Sequence, residues 1–507
     1  MTCKETEADS AAEPGGRPDS GLGGCSAGPA AGLSRRAALG RGVLGLGLAW
    51  SLAACAVPEE ETLHAGWPEP DLEPAQGGED DLARLRNGAD PVVAGETLEG
   101  TLLRRFYARR DYAPVWDTRP AQAQAAAQTV LRAASHGLDP ELFHASLVQR
   151  IGMFPPLRQE LLLTHALLTY AEALALGAVP LARRLDNETL AAEPVDVTAV
   201  LDAGLEAGDP VAAIEALAPR TPTYQALRQT LQRHRTGLPG DTLPPDRLRL
   251  VEANLERQRW LPRRLPADRV WVNVADQRLV LYRGHRPVFT TRVVVGDEME
   301  RKQSPEFLTM IEGAFFNPPW VIPRDIVAAD ILPRLERDPT FLARYNITLL
   351  PNGEAEQAPG PQAGLGVIMF DMPNRFDVYL HDTPDRNAFD RDNRRISNGC
   401  IRVHNPLEFA ALLMEETLDS IQAKVAAGGT VRKALPKPVP VFVLYQTAFA
   451  SAERGLETRP DFYGRDAMIW RRLYKRPPES IAPILAGAAP RRAGPPGNAP
   501  PLGPRRR

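Results

Sequence analysis

Cysteine is scarce in this chain of 507 residues, with four in all, and only one beyond position 55. No disulfide framework can therefore hold the fold together. Neither a Cys-x-x-Cys nor a His-Glu-x-x-His run occurs, and His136, His144 and His165 fall in helix-like stretches without ligand spacing, so no metal site and no cofactor are expected. Charge of one sign is missing too: 60 basic against 63 acidic residues leave −3, which argues against a polyanion partner such as nucleic acid. The apolar run from Gly42 to Ala54 is too short to span a bilayer. No fixed repeat period appears, which excludes a solenoid.

Proline and glycine are abundant instead, 49 and 40, and they gather at the ends and in connectors. The length calls for two or three domains. Residues 1–54 read as a targeting segment, with Ser34-Arg35-Arg36 ahead of the apolar run and Leu52-Ala53-Ala54-Cys55 closing it. The last four resemble a lipobox, which would make Cys55 a lipidation site and the lipid the only contact with a membrane. The paired arginines resemble a twin-arginine export signal. Residues 55–95 are acidic and Pro/Gly-rich, a tether. From 96 to 236 the apolar spacing is helical, with Asp139-Pro140 and Asp209-Pro210 as helix starts. A Gly/Pro hinge and a charged helix, Pro245 to Arg259, follow.

Beyond Trp260 the period becomes two, in Val270–Val274, Arg278–Tyr282 and Val288–Val295, and again in Gly366–Phe370, Phe376–Leu380 and Val439–Tyr445. The spacing predicts an α+β chain: an all-helical accessory domain over 96–236, then a mostly β, sandwich-like mixed sheet over 246–470. A Pro/Arg/Gly-rich tail over 476–507 reads as disordered.

Cys400, in Ser397-Asn398-Gly399-Cys400-Ile401-Arg402, lies nineteen positions after His381 of His381-Asp382-Thr383-Pro384. A thiol is only a few per cent ionised at neutral pH, so a base or a cation must activate it. His381 at a strand end can serve as that base, and Arg402, on the same face as Cys400 in an extended segment, can lower the thiol pKa or grip a carboxylate. Backbone N–H groups at Asn398 and Gly399 are candidates for an oxyanion hole. The imidazole needs an orienting acceptor, either the carbonyl of Asp382 or its carboxylate. His404, two further along the same face, is a rival base.

These motifs, with Phe106-Tyr107, Pro114-Val115-Trp116, Asn254-Leu255-Glu256-Arg257, Met372-Pro373-Asn374 and Tyr445-Gln446-Thr447-Ala448, resemble the L,D-transpeptidases, in particular their large Gram-negative subfamily with a helical domain. The resemblance implies a periplasmic enzyme acting on peptidoglycan stem peptides. Cys400 would attack the bond before a terminal D-alanine, His381 would move the protons, and a second stem's amine would resolve the thioester into a 3→3 cross-link. Tyr379, Arg402 and Ser397 would contact substrate, and the 319–365 insertion would form a lid. Water as acceptor would make a carboxypeptidase or endopeptidase, and a protein lysine a murein–lipoprotein ligase. A non-catalytic murein-binding lipoprotein is the alternative from another class. The family most often has histidine where Asn398 stands. A small peptidoglycan-binding module, common before the Asn-Leu-Glu-Arg helix, is missing.

Overall fold

The computed structural model describes residues 81–238, 240–451 and 454–474. Cys55, the targeting segment and the tail lie outside them. Helices dominate as far as Arg259: α1 (Gly100–Tyr107), α2 (Pro120–Leu131), α3 (Pro156–Leu176), α4 (Val197–Glu206), α5 (Pro222–Arg235) and α6 (Pro245–Arg259). Asp139 and Asp209 cap the helical turns that follow them by accepting from Glu141 and Ala212 N–H, as their Pro-led starts predict. Residues 81–95 do not behave as tether. Leu85 and Val93 are fully buried in the helical core, because a helical turn and a two-residue hairpin fold them back onto it.

Among the described residues nine strands form the main sheet of the second part: β1 (Arg269–Asn273), β2 (Arg278–Arg283), β3 (Arg286–Gly296), β4 (Phe307–Phe316), β5 (Ile368–Asp371), β6 (Leu380–His381), β7 (Arg395–Ser397), β8 (Ile401–Val403) and β9 (Val431–Leu444). They are ordered β7-β3-β8-β6-β5-β4-β9-β1-β2, and β2 also pairs with β3, so the mixed sheet closes on itself. The pairings β6–β8 and β9–β1 are parallel. Inside lie Val270, Val272, Leu279, Leu281, Ile311, Phe370, Leu380, Ile401 and Val441.

Two elements differ from expectation. The stretch Phe376–Leu380 is mostly loop, because Asn374 turns the chain and Asp377 sits at φ +52. The last strand starts eight residues early, at Val431; three prolines in it disguise it as a connector, and a bulge between Ala434 and Val439 accommodates the run.

The insertion is folded. Trp320–Ile322, Ile347–Leu349 and Ala355–Gln357 make a three-stranded sheet that flanks a helical run. Ile322, Val327, Ile331, Phe341, Ile347 and Ala355 form its own small core. Trp320 packs its ring so closely on Gly364 that an added Cβ would lie 2.9 Å from it.

Candidate active site

Register brings the predicted pair together. On parallel neighbours β6 and β8, Leu380 faces Ile401 and His381 faces Arg402, so Tyr379 stands beside Cys400. Leu380 and Ile401 point into the core, which turns Tyr379, His381, Cys400 and Arg402 to the opposite face. Cys400 and His381 are then diagonal neighbours on adjacent strands, a separation that side chains bridge.

The imidazole is oriented by a main-chain oxygen: His381 Nδ1 donates to the Asp382 carbonyl at 2.5 Å. That choice of tautomer leaves Nε2 with its lone pair. The Asp382 carboxylate does a different job, accepting from Val367 N–H at 3.0 Å and pairing with Arg386 at 2.7 Å. Gly366 is required there, since a Cβ on it would come within 2.3 Å of Asp382 Oδ2. The carboxylate thus fixes the end of the insertion against the base. His404, by contrast, lays its ring on Phe389, 4.9 Å between centroids.

The thiol is half-buried and donates weakly to the Asp377 carbonyl at 3.7 Å. Burial pushes its pKa above the ordinary value; the Tyr379 N–H and Arg402 pull it down, and Asp377 adds to the rise. Arg402 therefore acts in the expected direction, but desolvation wins. Burial, with help from Arg402, also pushes His381 down to about 3. Thiol and imidazole are both neutral at rest. Arg402 makes no ion pair among the described residues, and its buried Nε has no acceptor.

The turn before the nucleophile is arranged differently from expectation. Gly399, at φ +116, needs to be glycine, but its N–H donates to Ser397 Oγ at 3.1 Å and so is not open to an oxyanion. Ser397 is buried and its hydroxyl donates to the Cys400 carbonyl at 2.6 Å, so it braces the turn instead of facing substrate. The Asn398 amide donates to Asp330 of the insertion at 3.3 Å. Among the described residues the backbone N–H groups of Asn398 and Cys400 carry no hydrogen bond, so both stay available at the turn. Tyr379 does line the thiol; burial and then Asp377 raise its phenol.

Sequence reasoning missed three supports. Buried Ser304 donates to the Gly399 carbonyl at 2.7 Å. Asn374 holds the loop ahead of the site, donating to the Met372 and Val378 carbonyls and accepting from Phe376 and Val378 N–H. Asp377 reaches the sulfur only because that loop is bent. Asn374 alone carried a signal, as part of the Met-Pro-Asn run.

Residues 267–435 match the family described as the L,D-transpeptidase catalytic domain, and residues 101–231 match one described as a scaffold domain. This chain carries an L,D-transpeptidase catalytic domain. A protein of Haemophilus influenzae named "Putative L,D-transpeptidase" is 28% identical over 405 residues, covering 73% of this chain and 78% of that protein. A solved structure titled "Structure of the Ldtfm-avibactam carbamoyl enzyme" shares 12% identity over 36% of this chain and 49% of its own, with a TM-score of 0.20, too slight a likeness to support any argument. The L,D-transpeptidase match includes β1–β8, His381 and Cys400, and the scaffold match lies wholly within the helices.

Proposed function

We propose that this L,D-transpeptidase domain cross-links peptidoglycan by way of a Cys400 thioester, forming 3→3 links with release of D-alanine. The observation that carries the reading is the β6–β8 register, which sets Cys400 and His381 on one face of adjacent strands while Asp382's carbonyl fixes the imidazole. His381 Nε2 takes the thiol proton as sulfur attacks the donor carbonyl, then gives it to the leaving D-alanine amine. The neutral resting pair means that this transfer accompanies attack instead of preceding it. Developing oxyanion charge meets the Cys400 N–H, and Arg402, an unpaired cation on the same face, takes a stem carboxylate. Tyr379 walls the sulfur on the neighbouring strand. The same reading puts the protein in the cell envelope, held to a membrane through lipid on Cys55.

Incubation of the full chain with tetrapeptide muropeptides, followed by mass spectrometry, tests this. Dimers that have lost D-alanine, absent with Cys400→Ala, are the expected products. Tripeptides alone would instead mean that water is the acceptor. Products unchanged by Cys400→Ala would leave only the murein-binding alternative.

A further inference from the structure

Two opposite charges flank the sulfur without neutralising each other. Asp377 is exposed, its carbonyl faces Cys400 Sγ, and its carboxylate takes a hydrogen bond from the Tyr379 phenol but is in no ion pair among the described residues. Arg402 lies beyond the sulfur, attracted by Asp385 but in no ion pair with it. Neighbouring charges are engaged elsewhere: Asp371 with Arg432 at 2.5 Å, Asp382 with Arg386, and Arg375 with the Asp186 carbonyl. The position of Asp377 is built in. Its left-handed backbone is one that aspartate and asparagine adopt more readily than other non-glycine residues, and the four hydrogen bonds of Asn374 hold the loop there.

Given the acyl-enzyme chemistry above, we propose that Asp377 docks the ammonium of the acceptor beside the thioester, while Arg402 takes a carboxylate borne on the same acceptor carbon. A group carrying both charges on one carbon satisfies both residues at once; a simple alkyl ammonium, such as a protein lysine, satisfies only Asp377. The exposed carboxylate also solves a proton problem, because an ammonium must lose two protons to become an amide. One leaves to water by way of Asp377, freeing the nitrogen lone pair. That pair forms the C–N bond as the C–S bond breaks, and the second proton passes through His381 Nε2 to the departing sulfur. Thiol and neutral imidazole are restored.

The experiment loads the full chain with a tetrapeptide donor, verifies the adduct on Cys400 by intact mass, and offers deuterium-labelled D-alanine, D-alaninamide or propylamine against water, the label separating new product from residual donor. The readout is the ratio of amide product to hydrolysed product, which does not depend on how much enzyme was acylated. In the wild type D-alanine should outcompete the two amines that lack the carboxylate by about tenfold, the worth of one charge-assisted contact. Asp377→Asn should lower the ratio for every amine by a similar factor, and Asp377→Glu should restore much of it. Asparagine adopts the left-handed conformation readily, so the backbone survives the change. An unaltered ratio in Asp377→Asn, or equal use of D-alanine and propylamine by the wild type, overturns the proposal while the thioester reading stands. Absence of any Cys400 adduct in the wild type overturns the thioester reading itself.

Discussion

At the sulfur, burial and charge act in opposite directions, and burial prevails. The sign has a consequence for pH. A thiol raised above its usual value is neutral below that value, and an imidazole lowered to about 3 is neutral above it, so at no intermediate pH is the thiolate–imidazolium pair the ground state. Alkylation of Cys400 by iodoacetamide should accordingly climb by about tenfold per pH unit from pH 7 to 9, with no inflection near 6.5. A plateau already reached at pH 7 would show a pre-formed ion pair. Cys400 and His381 could be named from sequence because a lone thiol and a strand-end histidine carry their chemistry in their identity. Asp377 could not, since its role comes from a φ of +52 that Asn374 imposes from three residues away. The roles expected of Gly399 and Ser397 went astray for a related reason: sequence shows that donors stand before the nucleophile, not that they bond each other.

Among the elements, the insertion is the one that links chemistry to shape. Its helical run contains a π-turn, Val327–Ile331, and wide turns of that kind often mark functional positions. Here the turn carries Asp330, which meets Asn398 two residues before the nucleophile. This chain thus has an amide-to-carboxylate latch between the insertion and the turn that carries the nucleophile. The contact is single and exposed, so Asp330→Ala should leave Tm within about 1 °C of the wild type. Amide hydrogen exchange over 324–345 should nevertheless speed up, and the hydrolysed fraction of the thioester should grow as water gains entry. Unaltered exchange would mean that the insertion rests on Gly366 and Asp382 alone. The bounds expected for the insertion, 319–365, rested on the resemblance to the L,D-transpeptidases. Its fold was not readable, because strands of three residues are too short to show a period.

Across the whole molecule the helix α6 joins the two parts, and nothing in its composition announces that. It is polar almost all round, which ordinarily marks a solvated helix. Yet Glu252, Asn254, Glu256, Arg257, Gln258 and Arg259 are all buried. One side reaches the helical part: Glu256 accepts from Val179 N–H at 2.8 Å, and Arg259 bonds the His136 carbonyl and pairs with Glu256. The other reaches the chain's end: Arg257 pairs with Asp466, Asn254 bonds Thr447, and Glu252 accepts from Trp470 at 2.6 Å. A single apolar core runs from Leu85 through Trp260 to Phe442, Leu444 and Ile469, so helices and sheet bury each other. Separating the parts at the Gly/Pro hinge would expose that core and strip Glu256 and Arg259, which pair with each other, of their bonds to Val179 and His136. The full chain should therefore melt in one calorimetric transition, and a fragment of residues 246–474 should be insoluble or lack a cooperative transition. Two separate transitions, or a soluble fragment with native stability, would show that α6 only abuts its neighbours.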